Sequence, residues 1–168
     1  MKVCTRNKRW IMNEPIQQSA TKCPECGKGQ LLPFTRTEEF EFDLGGGEMV
    51  KVRAENVPIQ KCDNCGTVLT GPDAARVQHE AICRAAGLMT PSEIKELREK
   101  FAWTQQHLAE LTDFGVATLS RWERGRLLPN RSNSKILQAI RECPPFREYL
   151  EGLLASKSGK RETGGFAA

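Results

Sequence analysis

Two pairs of cysteines, each with a two-residue spacer, constrain the first half of this chain more than any other feature. Cys23 and Cys26 form the first pair, Cys62 and Cys65 form the second, and a glycine follows each pair. The spacer places both sulfur atoms on one side of a tight turn, and the glycine lets the backbone curl so that amides can point at the sulfurs. Four thiolates are the ligand set of a closed tetrahedral site. The pattern therefore predicts one structural Zn²⁺ ion bound by these four cysteines.

Three alternatives to zinc stay open at this stage. Soft sulfur ligands also favour iron, which would make the chain an iron redox protein. A dithiol redox motif is disfavoured by the presence of two pairs and by the lack of a βαβ pattern, and the cysteines could also be unligated. Of the other three cysteines, Cys83 and Cys143 lie in helical patterns and are expected to be buried small apolar residues, whereas Cys4 has no assigned role.

The residues between the two pairs have the pattern of a β-hairpin. Phe40, Phe42 and Leu44 alternate with acidic residues, the period of a half-buried strand. Three glycines at 45–47 and a second β-prone run at 49–53 follow, so a hairpin is predicted. This segment is too short to bury a large core, and we expect the metal to stabilise it. Removal of the metal is then expected to unfold residues 21–70 and to leave residues 90–155 helical.

The second half of the chain has helical patterns. Thr90 begins a capping box, with Pro91 at the first helical position. Thr104 is predicted to cap the second helix of this half, and Ser132 is predicted to cap the fourth. Ile94, Leu97 and Phe101 mark one face of the first helix, and Phe146, Tyr149, Leu150, Leu153 and Leu154 mark the face of the last.

These patterns predict an α+β fold, with a small zinc-bound β-hairpin domain followed by an all-α domain of five helices. No run of about 18 apolar residues predicts a membrane span, and the first residues lack the apolar stretch of a secretory signal, so a cytoplasmic protein is expected. The predicted parts are a flexible extension (1–20), a zinc-binding β domain (21–70), a linker helix (71–89), a helix-turn-helix domain (90–156) and a disordered tail (157–168).

The segment 94–130 is the most specific signal in the second half. Leu108 and Ala109 face inward on the second helix, and Leu119 and Trp122 close on them from the third, as a helix-turn-helix requires. The third helix can then enter the major groove of DNA. Glu123 is expected to pair with an arginine inside the domain.

The charge of this region agrees with a polyanionic partner. Residues 114–147 carry seven basic side chains and two acidic ones, and a basic cluster of this kind favours nucleic acid. Thr104 and Gln105 open the second helix, where the free amides and the Gln105 side chain could hold a phosphate.

The pairs Thr104-Gln105 and Leu108-Ala109, with the run Ser120–Gly125, resemble the Xre/Cro-like helix-turn-helix family, which has a lambda-repressor-like fold. With the two cysteine pairs in front, residues 22–155 are similar in layout to the MqsA/YgiT-type antitoxins. This resemblance implies a homodimer through the C-terminal domain, a palindromic operator in double-stranded DNA, and autoregulation. It also implies a toxin, often an RNase, held by the zinc domain.

The resemblance also gives roles to single residues. The zinc ligands of the family fall on the four paired cysteines, and its base-reading arginine falls on Arg121, which could bond guanine bidentately for about 1–3 kcal/mol of discrimination. Its base-reading asparagine falls on Ala117, which could touch only a thymine methyl group. The remaining predicted DNA contacts are Thr118 and Ser120, to phosphate or bases, and Arg124, Arg126 and Arg131, to the backbone.

The sequence thus predicts a sequence-specific DNA-binding transcriptional regulator that is the antitoxin of a type II toxin-antitoxin pair and autoregulates its operon. The alternative is a stand-alone Xre-family repressor with a structural zinc module and no toxin. No pairing of a nucleophile with a base and no phosphate-binding loop is found in the sequence, so an enzyme is not expected.

Overall fold

The computed structural model describes residues 9–12 and 21–159. The chain divides into two compact units, Met1–Ala86 and Gly87–Ala168, called the first and the second unit below. The described part of the first unit is a β-sheet with one helix, and that of the second unit is helical. The predicted α+β fold class is therefore confirmed.

The described part of the first unit contains an antiparallel sheet of five strands. The strand order is β1-β3-β4-β5, and β2 also pairs with β3. The two long central strands are the predicted hairpin. The strands are β1 (Arg9–Met12), β2 (Thr21–Lys22), β3 (Gln30–Asp43), β4 (Met49–Cys62) and β5 (Val68–Thr70).

Three consecutive glycines make the turn between β3 and β4. Gly45, Gly46 and Gly47 all have positive φ angles, of 104°, 67° and 84°, which residues with a side chain rarely adopt. The carboxylate of Asp43 accepts a hydrogen bond of 2.7 Å from the backbone N–H of Gly45. The glycine run thus fixes where the chain reverses.

Helix α1 (Pro72–Ala85) covers one face of this sheet. It packs against β4 and buries Ala74, Ala81, Ile82 and Cys83, while β4 buries Val52, Ala54, Val57 and Ile59. The sequence predicts a linker helix over 71–89; in the structure α1 is part of the first unit, because its apolar side needs a second surface to cover it.

A buried carboxylate joins α1 to the sheet. Glu38 on β3 is fully buried, with Arg36 Nη2 2.7 Å from its Oε1 and Gln78 Nε2 of α1 donating to its Oε2 at 2.5 Å. The strand register shifts between Arg36 and Glu38, opposite Asn56, whose φ is 54°. Glu38 therefore lies at a β-bulge, where two residues of β4 face one residue of β3.

Five helices make up the described part of the second unit, as predicted, and they enclose one core. Trp122 is 2% exposed in this core, in agreement with its predicted role. The helices are α2 (Pro91–Lys100), α3 (Gln105–Thr112), α4 (Val116–Glu123), α5 (Arg131–Glu142) and α6 (Pro144–Gly159). Buried core residues include Ile94, Leu97, Leu108, Leu119, Leu137 and Ile140.

Two of the predicted helix caps are confirmed. The Thr90 hydroxyl accepts a hydrogen bond from the Glu93 N–H at 3.2 Å, and the Glu93 carboxylate accepts one from the Thr90 N–H at 2.8 Å, which completes the capping box. The Thr104 hydroxyl accepts a hydrogen bond from the His107 N–H at 3.0 Å at the start of α3. Local sequence therefore decides where these two helices begin.

The prediction that Ser132 caps the fourth helix is wrong. Asn130 is the cap of α5, and its side chain accepts a hydrogen bond from the Asn133 N–H at 2.8 Å. Asparagine caps a helix as well as serine does, and Asn130 directly follows Pro129. The helix therefore begins two residues earlier than a serine cap would allow.

The two cysteines predicted to be buried differ in the structure. Cys83 is buried, but Cys143 is an exposed free thiol, which corrects the prediction. Cys143 is the C-cap of α5, in an extended conformation, and Pro144-Pro145 begin α6, as proline can in a first turn. Helical periodicity does not show that the first of two adjoining helices ends at this residue.

The described ends of the chain bear on two further predictions. Within the predicted flexible extension 1–20, residues Arg9–Met12 form β1 and pair with β3; the rest of that extension, with Cys4, lies outside the described residues. Helix α6 runs to Gly159, and residues 160–168 of the predicted disordered tail also lie outside the described residues.

Among the described helices, none has the length and apolar character needed to cross a bilayer.

We expect Glu38→Ala to destabilise the first unit by about 3–5 kcal/mol, because the mutation removes a buried carboxylate that pairs with Arg36 and accepts a hydrogen bond from Gln78. Amide hydrogen exchange over α1 measures the loss, since Gln78 ties this helix to the sheet. Glu39→Ala is the matched control: its carboxylate pairs with Arg53 on the exposed face, and it should change stability by less than about 1 kcal/mol. Equal effects of the two mutations would contradict this role of Glu38.

Candidate metal centre and nucleic-acid interface

The four paired cysteines meet at one end of the hairpin. The first knuckle (residues 23–29) connects β2 to β3, and the second knuckle (residues 62–67) connects β4 to β5. Because Leu31 pairs with Cys62 across the two long strands, the knuckles lie side by side. The four Sγ atoms are within 4.8 Å of one another. The separations are 3.7 Å between Cys23 and Cys65 and also between Cys26 and Cys62.

Backbone amides point at the sulfur atoms. The N–H of Gly29 donates to Cys26 Sγ at 3.4 Å, and the N–H of Cys65 donates to Cys62 Sγ at 3.5 Å. Gly27 and Gly66, which follow the two pairs, have φ angles of 63° and 73°. Gly27 therefore makes the turn before the Gly29 amide that reaches Cys26, and Gly66 makes the turn before the Thr67 amide that bonds Cys65, whereas the Cys65 amide reaches Cys62 from within its own pair.

Gly29 and Asp63 join the two knuckles and were not predicted from the sequence. A Cβ atom on Gly29 would lie 2.5 Å from Cys62 Sγ and 2.6 Å from Asp63 Oδ1, so only glycine fits there. Asp63 Oδ1 accepts a hydrogen bond from the Gln30 N–H at 2.8 Å, and the Asp63 N–H donates to the Gln30 carbonyl at 3.1 Å. The sequence does not indicate this contact of Asp63 and Gly29, because the contact depends on how β3 and β4 pair.

The thiols of the cluster differ in their acidity. Hydrogen bonds from the backbone N–H groups of Gly29 and Lys28 lower the pKa of Cys26 to about 6. The Thr67 hydroxyl and N–H lower the pKa of Cys65. The Cys65 N–H acts to lower the pKa of Cys62, but burial and the neighbouring thiols raise it to about 11.

This donor set fits a metal cation. Four sulfur atoms converge, and backbone amides point at two of them, as in sites where thiolates bind a metal cation. Two of the four cysteines, Cys23 and Cys62, are each 1% exposed. The four cysteines are thus positioned to bind a metal ion in a closed site.

A turn of three residues joins helices α3 and α4 in the second unit. Asp113 ends α3 in the left-handed conformation, with a φ of 55°, and α4 begins after Gly115. Leu108 and Ala109 are buried with Leu119 and Trp122 in one core, as predicted from their positions. This packing leaves the other side of α4 facing solvent.

The predicted DNA-contacting residues occupy different environments. Ala117 and Arg121 are exposed and lie one turn apart on α4. Thr118 and Ser120 are half-buried, and Arg124 and Arg126 are exposed at the end of the helix and just beyond it. The side chains of α4 therefore present one exposed face with Arg121 at its centre.

Glu123 organises the side chains behind that face. Its carboxylate accepts hydrogen bonds from Arg98 Nε at 2.9 Å and Arg98 Nη2 at 3.2 Å. It also accepts one from Gln105 Nε2 at 2.8 Å. The predicted pairing of Glu123 with an arginine inside the domain is confirmed. Gln105 is thus held in place through one of the two N–H groups of its amide.

One exposed basic residue of α5 was not predicted from the sequence. Lys135 lies one turn after Arg131 on α5, and the spacing of four residues between two basic side chains is the signal that could have identified it. The basic residues of the second unit therefore extend from α4 to the start of α5.

Comparisons with known proteins cover both units. The model of a family described as the antitoxin component of bacterial toxin-antitoxin system, MqsA, matches residues 21–151. Antitoxin MqsA from Escherichia coli (strain K12) is 25% identical to this chain over 125 residues, which are 73% of this chain and 94% of that protein. The matched residues include both knuckles and helices α3 and α4, and the match confirms the resemblance to this antitoxin family noted in the sequence. This chain therefore belongs to the MqsA antitoxin family.

Proposed function

We propose that this antitoxin-family chain is a sequence-specific DNA-binding repressor of its own operon and the antitoxin of a type II toxin-antitoxin pair. The observation that carries the DNA-binding part is the exposed face of α4, where Arg121 stands on a helix that Trp122 fixes in the core. The family match favours an antitoxin over a stand-alone repressor without a toxin, and it also favours a non-enzymatic regulator.

The exposed face of α4 has the chemistry for reading bases in the major groove. An arginine at position 121 can donate two hydrogen bonds to the O6 and N7 atoms of guanine, and Ala117 can contact a thymine methyl group. Thr118 and Ser120 flank these two residues. Arg124 and Arg126 follow at the end of the helix, where their charges can meet phosphates.

The start of α3 offers a second contact, to the DNA backbone. Thr104 caps this helix, and Gln105 is fixed by the Glu123 carboxylate. The second N–H of the Gln105 amide and the first backbone amides of α3 can donate to one phosphate. Lys135 on α5 adds a further positive charge for the backbone.

Dimer formation through the second unit agrees with an exposed apolar pair on α6. Tyr149 is 64% exposed and Leu153 is 43% exposed, and they lie one turn apart. Two copies related by a two-fold axis would each place one α4 in the major groove of a palindromic operator in double-stranded DNA. We therefore propose a homodimer whose interface includes α6, and we place the protein in the cytoplasm, where the operator is.

We propose that the four cysteines hold one structural Zn²⁺ ion. Four thiolates with no open ligand position are typical of structural zinc sites. The ion would join the two knuckles through their side chains, in addition to the backbone contact between Asp63 and Gln30. An iron ion in this sulfur set would give the purified protein a visible colour, which zinc does not.

The first unit is the proposed surface for the toxin, an RNase-like protein. Glu39 and Glu41 are exposed on β3, together with Asp43 and Glu48 near the turn. The basic residues Lys51 and Arg53 only partly offset these acids. A basic toxin would therefore be attracted to the exposed side of the hairpin.

We expect Arg121→Ala to weaken binding to the operator by about 1–3 kcal/mol, which is roughly 5- to 150-fold, and to weaken binding to unrelated DNA much less. Fluorescence anisotropy with DNA from upstream of the gene, and with a scrambled duplex, measures both affinities. Lys95→Ala is the control, because it removes one exposed positive charge from α2. An equal loss on the two DNAs would mean that Arg121 contacts only phosphate.

We expect a chelator to open the two knuckles and to leave the rest of the chain folded. We expect a smaller region to depend on the metal than the residues 21–70 predicted from the sequence, because β4 and α1 bury an apolar core of their own. Amide hydrogen exchange should increase over 21–30 and 62–70 but not over α1 or 91–159. Unchanged exchange in the knuckles after the metal is removed would contradict a structural metal.

We expect the product of the neighbouring gene to co-purify with the full-length chain and to bind less tightly when Glu39 and Glu41 are both changed to lysine. The reversal places positive charge opposite a basic partner. Glu110→Lys with Glu142→Lys is the matched control, because both residues are exposed in the second unit. Failure of that product to bind the unmodified chain would contradict the antitoxin pairing proposed here.

A further inference from the structure

Cys65 differs from the other three cysteines of the cluster in its exposure. Cys23 and Cys62 are buried and Cys26 is half-buried, whereas Cys65 is exposed. A thiolate bound to a metal keeps part of its nucleophilic character, and an exposed sulfur is the one that reagents in solution reach first. The stability of the whole site against chemical attack therefore depends most on Cys65.

A hydroxyl group lies next to this exposed sulfur. Thr67 Oγ1 is 3.2 Å from Cys65 Sγ, within hydrogen-bonding distance. A metal-bound thiolate has no proton to give, so the hydroxyl is the donor and the sulfur is the acceptor.

The first knuckle has no equivalent hydroxyl. Lys28 holds the corresponding position, two residues after Cys26, and the sulfur of Cys26 receives hydrogen bonds from the backbone N–H of Gly29 and from the side chain of Asn64. A side-chain hydroxyl two residues after the second cysteine is thus found only in the knuckle where that cysteine is exposed.

A hydrogen bond to a thiolate draws electron density away from the sulfur lone pair without displacing the metal. We propose that Thr67 is a positioning residue of the metal centre, whose hydroxyl, donated to Cys65 Sγ, makes this exposed ligand less reactive toward electrophiles. This inference rests on the proposed metal site and adds a residue outside the four ligands to it.

The test compares the rates at which iodoacetamide alkylates the cysteines of the metal-loaded full-length chain and of two Thr67 variants. Peptide mass spectrometry measures the rate for each cysteine separately. Thr67→Val removes the hydroxyl and keeps the side-chain shape, and Thr67→Ser keeps the hydroxyl. Cys65 should react about tenfold faster in Thr67→Val and at the original rate in Thr67→Ser. Cys143, an exposed thiol outside the cluster, supplies the reference rate in every sample.

A spectroscopic measurement checks the same bond without any reaction. With Co²⁺ loaded in place of the native ion, the sulfur-to-cobalt charge-transfer band should move to lower energy in Thr67→Val and stay in place in Thr67→Ser. A structural role of the threonine methyl group alone would not produce this difference.

Four outcomes would overturn the proposal. An unchanged Cys65 rate in Thr67→Val would show that the hydroxyl has no effect, and equal acceleration in Thr67→Ser would show that the shape of the side chain matters instead. Acceleration of all four ligands together would show that Thr67→Val opens the knuckle. A chain that binds no metal, which metal analysis of the unmodified protein reveals first, would refute the metal site itself; a metal-loaded chain with unchanged Cys65 refutes only the role of Thr67.

Discussion

The cluster of four cysteines depends on a β-bulge in the middle of the hairpin. Between the glycine turn and Glu38 the two long strands pair in one register, and from Arg36 to the knuckles they pair in a register shifted by one residue. Without the extra residue in β4 near Asn56, Leu31 would not lie opposite Cys62. Since a shift of one residue turns a strand's side chains to the other face, the bulge decides whether the two cysteine pairs meet.

A buried carboxylate fixes a helix in each unit. The Glu38 carboxylate pairs with Arg36 and accepts a hydrogen bond from Gln78, and it thereby holds α1 on the sheet. The Glu123 carboxylate accepts hydrogen bonds from Arg98 and Gln105, and it thereby holds α2 and α3 against the end of α4. A charge taken out of water is tolerated only when its partners are in place, so each carboxylate selects one arrangement of its helix over others that would bury similar apolar area.

Local chemistry explains which predictions from the sequence were confirmed. The caps at Thr90 and Thr104 and the turn at the three glycines depend on residues within four positions of one another, so the sequence contains the whole interaction. The cap at Asn130 was missed because two neighbouring residues can perform the same role. The burial of Cys143 was predicted wrongly, because hydrophobic periodicity describes the interior of a helix and does not show at which residue the helix ends.

The sequence by itself determined which atoms could bind a metal and which helix could face DNA. Thiols in pairs with a two-residue spacer have few other uses, and the apolar residues of a helix-turn-helix recur at fixed positions. Only the tertiary structure decided that Cys65 is exposed while Cys62 is buried, that Asp63 and Gly29 join the knuckles, and that Gln105 is held by Glu123. These features depend on contacts between residues 18 or more positions apart, and exposure is a property of what packs on a residue rather than of the residue type.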